Sequence, residues 1–116
     1  MNSENKAVLY LNLIGKWFDM IENGEKKEEY RECKLFYHRI FSGGHVKIKG
    51  KYYHPTDVII CFSNGYHKNR RQMFFELKNV YARCGNVKWG AEAGKQYYCL
   101  LLGNKTHFPF TEGVTF

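Results

Sequence analysis

Val58-Ile59-Ile60-Cys61-Phe62 is an unbroken apolar run set between Asp57 and the turn formers Ser63-Asn64-Gly65. A segment with no polar alternation has no side to show to water, so it predicts a strand buried on both faces. It is far too short to cross a bilayer, which takes about 20 residues as a helix. A chain of 116 residues has room for one core, so residues 1–116 are expected to form a single domain around that strand.

The remaining segments supply what would cover it. Ala7-Val8-Leu9-Tyr10-Leu11-Asn12-Leu13 is β-prone and predicts a first strand. Ile14, Trp17, Phe18 and Ile21 then fall on one helical face, with Lys16, Asp19, Glu22 and Asn23 on the polar side and Gly24 where a helix stop wants a left-handed residue. Cys33 to Phe41 predicts a second short helix through Phe36, Ile40 and Phe41, broken by Ser42-Gly43-Gly44. Val46 to Tyr53 alternates apolar residues with lysine and fits either a basic hairpin or a loop. Met73 to Arg83 predicts a long strand and Gln96 to Gly103 another, while the tail after Lys105 has no pattern. Short strands punctuated by turns, after two early helices, predict an α+β, mainly β fold: a small closed or half-closed β-barrel with two or more short helices near the N-terminus. Strand–helix alternation is missing, which disfavours a doubly wound sheet.

Composition narrows the function class. Apolar residues are 44% and charged residues 25%, ordinary for a folded chain. The net charge of +7 calls for a polyanionic partner, nucleic acid first, although a positive excess also serves solubility. The aromatic share of 17% leaves rings free to stack on a ligand. Cys33, Cys61, Cys84 and Cys99 have no C-x-x-C spacing and the histidines no ligand spacing, so no metal and no cofactor is assigned. Met1 to Lys6 lacks the apolar core of a secretion signal, so the expected setting is a reducing one, cytoplasmic, with mostly buried thiols and no membrane.

The chemistry concentrates in Gly24-Glu25-Lys26-Lys27-Glu28-Glu29-Tyr30-Arg31. If the residues after the turn are extended, Lys27, Glu29 and Arg31 share one face and Glu28, Tyr30 and Glu32 the other, with Lys26 at the turn able to curl toward either. Glu29 between cations stays ionised. Arg31 is suited to a bidentate grip on phosphate or carboxylate, or to bracing by Glu29. Lys26 supplies a point charge, or a base if desolvated beside another cation. The same pattern also fits an exposed strand laced with ion pairs.

The spacing Gly24-x-Lys26-x-x-Glu29-x-Arg31 resembles the signature of the ASCH domain family (activating-signal-cointegrator homology), a branch of the PUA-like barrels. Trp17-Phe18-Asp19-Met20-Ile21 is similar to the family's helix leading into the motif. Val87-Lys88-Trp89-Gly90-Ala91-Glu92 and Tyr97-Tyr98-Cys99-Leu100-Leu101-Leu102-Gly103 are similar to its closing tryptophan–glycine turn and last strand. The resemblance covers most of residues 7–103. It implies a PUA-like β-barrel with the motif lining a cleft and RNA or a nucleotide as ligand. Some relatives act as hydrolases on modified nucleosides or as ribonucleases. By position, Lys26 is then the cationic or basic group, Glu29 the acid or brace and Arg31 the anion anchor. In the amidohydrolase-type branch a threonine stands where this chain has Glu29, and only Glu76 offers itself as that branch's downstream glutamate.

Three further groups are candidates for binding. Tyr66 with Lys68, Arg70 and Arg71 forms a basic loop with an aromatic partner, and Lys47, Lys49 and Lys51 with Tyr52, Tyr53 and His54 form a second patch. Trp89 and Tyr30 fit either stacking on a base or covering the core. The leading reading is an RNA- or nucleotide-binding module that uses Lys26, Glu29, Tyr30, Arg31, Tyr66, Lys68, Arg70, Arg71 and Trp89. The rivals are a hydrolase with Lys26 and Glu29 as catalytic pair, and a protein-interaction domain in which the motif is structural.

Overall fold

The structure is a computed structural model that describes residues 6–107. The readings of residues 1–5 as free of a secretion core, and of the tail beyond His107, lie outside the described residues. Seven strands, β1 (Ala7–Asn12), β2 (Glu28–Glu32), β3 (Val46–Ile48), β4 (Lys51–Tyr53), β5 (Val58–Ser63), β6 (Gln72–Cys84) and β7 (Gln96–Thr106), accompany two helices, α1 (Lys16–Glu22) and α2 (Leu35–Phe41).

β5 is buried at all six positions, as a run without alternation requires. It lies between β1, parallel to it, and β6, antiparallel to it, and the sheet continues through β7 to β2 in the order β1-β5-β6-β7-β2. The result is a curled half-barrel sheet with two helices. Two register shifts between β6 and β7, around Leu77, let the long strands bend. The curl brings the two outer strands near each other: Arg31 of β2 donates to the Asn12 carbonyl of β1 at 2.7 Å.

Core residues alternate on the outer strands, with Leu9, Leu11 and Leu13 inside and Tyr10 outside. Phe18 and Ile21 of α1 and Phe41 of α2 close over them, each at most 1% exposed. The expected helix faces need two corrections. Ile14 precedes α1 and is exposed, because the chain runs Leu13-Ile14-Gly15 as a loop before the helix starts. Phe36 sits on the outer side of α2 and is exposed, because Phe41 and Ile40 already fill its inner side. Val46 to Tyr53 is the hairpin β3–β4, closed by Lys49 and Gly50, both at positive φ (51° and 80°). Consecutive left-handed residues make the tight turn that matches strand twist.

Candidate functional site

The motif is built by the end of α1. Asn23 donates to the Asp19 carbonyl and Gly24, at φ 86°, to that of Ile21, so the helix stops where glycine permits a reversal. The Lys26 amide then donates to the Met20 carbonyl at 2.9 Å, folding the chain back along the helix it has just left. From Glu28 the chain is extended and pairs with β7, Glu29 opposite Leu100 and Arg31 opposite Tyr98.

Three charged side chains meet beneath this reversal. Lys26 Nζ donates to Glu29 Oε1 at 2.8 Å and Arg31 donates to Glu29 Oε2 at 2.7 Å. Their side chains are 3%, 6% and 13% exposed for Lys26, Glu29 and Arg31. Two cations therefore share one carboxylate away from water, and the cluster carries an uncompensated positive charge. Desolvating an unpaired charge is expensive, so such a cluster attracts an anion. Arg31 also donates to the Tyr37 hydroxyl at 3.2 Å, while its Nε and the Asn12 Oδ1 are buried without a hydrogen-bond partner. One is a donor and the other an acceptor.

Glu29 and Arg31 of the cluster line a cleft of about 310 Å³ together with Asn12, Trp17, Tyr30, Glu32 and Tyr37, while Lys26 lines a separate hollow with Lys27, Phe75 and Lys78. The Lys26 ammonium stands 5.1 Å from the ring centres of both Trp17 and Tyr30, within cation–π range. Gly90 comes close to Trp17, where an added Cβ would stand 3.0 Å from the indole, so the turn after Trp89 packs against that ring.

The opposite face of β2 is occupied differently. Tyr30 donates to Glu28 at 2.7 Å and accepts from the Asn86 amide at 2.9 Å. Glu28 is also ion-paired with Arg83. Burial raises the Tyr30 phenol well above its ordinary range, and the Glu28 carboxylate adds to the shift.

Of the sequence candidates, Lys26, Glu29, Tyr30 and Arg31 come together. Tyr66 and Arg70 line a neighbouring hollow that shares Asn12 with the cleft. Arg71 turns the other way, pairing with Asp19 at 3.2 Å and with Glu22, and so fastens its loop to α1. Lys68 is exposed and Trp89 is half-buried on its turn; neither lines the cleft. Glu76 sits in mid-β6, 3.6 Å from Lys6, and does not line it either. Cys33 and Cys84 are exposed, against the expectation of mostly buried thiols, because both stand at strand ends; Cys61 and Cys99 are buried, and burial raises their thiol pKa.

Six cleft residues are not among the sequence candidates: Asn12, Leu13, Ile14, Trp17, Glu32 and Tyr37. Trp17 packs against the core from α1, as its helical spacing predicts, and is also half-buried beside Lys26. Its place one helix length before the motif was the available signal. Asn12 and Tyr37 carry no such signal, since their roles depend on the sheet's curl and on where α2 packs. No helix among the described residues is long and apolar enough to cross a membrane. No family model matches the chain, and comparison with curated proteins and with solved structures finds no match.

Proposed function

We propose that this protein is a PUA-like module of the ASCH type that binds RNA or a nucleotide in the cleft lined by Glu29 and Arg31. The observation that carries the reading is the buried cluster of two cations on one carboxylate, of which Arg31 and Glu29 line a concave surface. Its walls suit a nucleotide. Trp17 and Tyr37 offer rings for a base, and stacking on such rings contributes about 1–3 kcal/mol per base.

Binding fits this geometry better than hydrolysis. Both oxygens of Glu29 already accept from cations, so it acts as a brace that orients Lys26 and Arg31 rather than as a free base. The Lys26–Glu29 contact of 2.8 Å is nevertheless close enough for proton transfer, and turnover belongs in the same experiment.

The test is titration with short RNA at several salt concentrations, for wild type and Arg31→Lys, with folding checked by circular dichroism. Affinity is expected to fall steeply with salt. Arg31→Lys keeps the charge, loses the fork and is expected to weaken binding by about 1–3 kcal/mol. Affinity that is flat with salt, or unchanged in Arg31→Lys, refutes the reading. Release of product from a panel of modified nucleosides, abolished in Lys26→Met, transfers the site to the hydrolase reading.

A further inference from the structure

The cleft does not stand alone. A hollow of about 580 Å³ runs between residues 7–10 of β1 and the hairpin residues Lys47, Lys49, Lys51 and Tyr53. A second, of about 450 Å³, is lined by Tyr10, Asn12, Tyr66 and Arg70. Tyr10 belongs to both of these, and Asn12 belongs to the second and to the cleft. The three hollows are therefore contiguous along β1, an outer strand whose only partner in the sheet among the described residues is β5.

Along the first two hollows the charge has one sign, whereas Glu29 and Glu32 line the cleft itself. Among the described residues no acidic residue lines the first two hollows, and Lys47, Lys49, Lys51 and Arg70 form no ion pair with a carboxylate. Unpaired lysines at a groove attract a polyanion most strongly where no carboxylate screens them. The turn at Lys49-Gly50 fixes their arrangement, since Lys47 and Lys51 stand on the paired strands and Lys49 at the tip. Aromatic rings interleave with the cations. Tyr10 is 62% and Tyr66 88% exposed, a costly display of ring surface unless something stacks on it.

We propose that the outer edge of β1 is a track for a single-stranded nucleic acid, which runs from the cleft past Tyr10 and Tyr66 to the lysine hairpin. One nucleotide occupies the cleft. The phosphates of its neighbours meet Arg70 and then Lys47, Lys49 and Lys51, and their bases stack on the two exposed tyrosines. Single-strand grooves combine these parts, a positive channel and successive ring platforms. An acidic peptide added to β1 as a further strand would use the backbone edge and leave both rings idle, so the observations favour the nucleic acid. The inference rests on the nucleotide reading of the cleft.

The experiment compares a ribodinucleotide with an oligoribonucleotide of about eight residues, a length within the range a small barrel holds. Wild type is expected to bind the longer ligand at least about tenfold more tightly. Lys47→Gln/Lys49→Gln/Lys51→Gln is expected to lose that gain while keeping wild-type affinity for the dinucleotide. Its salt slope with the longer ligand is expected to be shallower by about 2, the value of three phosphate contacts on a single strand. On wild-type protein, lysine acetylation at the three positions is expected to be blocked by the longer ligand and not by the dinucleotide, a readout independent of any variant's folding. Equal affinity for both lengths, a gain that survives the triple substitution, or unprotected lysines overturns the track. Loss of dinucleotide binding in wild type overturns the cleft reading instead, and the length-dependent protection then reports on the groove by itself. A strand-long acidic peptide that protects the same lysines while RNA does not assigns the edge to a protein partner and overturns the proposal.

Discussion

Glu29→Gln is the substitution that most directly interrogates the buried cluster. The carboxylate is 6% exposed and accepts from Lys26 at 2.8 Å and from Arg31 at 2.7 Å. Glutamine keeps the shape and one acceptor oxygen, but it presents an amide donor to the second cation. Removing one member of a buried pair typically costs 3–5 kcal/mol, because the remaining charge stays desolvated. One retained acceptor places the expected loss near the lower end, about 3 kcal/mol. At roughly 4 °C per kcal/mol for a domain of this size, the melting temperature is expected to fall by about 12 °C. Urea and thermal unfolding followed by circular dichroism measure it. Adding Lys26→Met to Glu29→Gln removes one of the stranded cations and is expected to recover part of the loss, with a coupling of about 0.5–3 kcal/mol between the two positions. A drop of less than about 1 kcal/mol, the scale of an exposed ion pair, would refute the reasoning, since the three groups would then be solvated.

Two further outcomes follow from the other face of β2. The Tyr30 phenol is raised above its ordinary 10.0, chiefly by burial, so its proton stabilises the fold fully below pH 10 and that stability drains away as pH rises above it, where only the unfolded chain ionises. Tyr30→Phe is expected to flatten this alkaline decline in melting temperature, and parallel declines in wild type and variant would contradict it. Gly85→Ala would set a Cβ 2.7 Å from that of Ala91 and 2.8 Å from the Tyr30 ring, which is expected to cost about 1–3 kcal/mol. Gly103→Ala meets Glu76 only at 3.2 Å and serves as the milder control, so equal unfolding midpoints for the two variants would show that the turn yields.

Much of the fold is legible in the chain because local physics dictates it. The run from Val58 has no polar side and is buried throughout. The reversal after α1 is set by Gly24, which takes the left-handed backbone that ends the helix. The alternation of Glu29 and Arg31 against Glu28 and Tyr30 follows from the period of a strand and holds in the structure. The errors fall where the competing requirement is not local. Ile14 fits the helical spacing of Trp17, Phe18 and Ile21, yet the helix starts only after Gly15, and periodicity does not fix where a helix begins. Arg71 has the composition of a ligand-binding loop residue, but the acids of α1 lie within its reach and engage it.

The sequence by itself determined the presence and order of the motif's charges, their alternation on a strand and the basic character of the two loops, because these depend on neighbours a few residues apart. Only the tertiary structure decided that Lys26 is buried rather than displayed, that Trp17 and Tyr37 wall the cleft, and that Arg31 reaches the Asn12 carbonyl. Those outcomes depend on how far a sheet curls before its outer strands approach, a property set by bulges and packing over the whole chain.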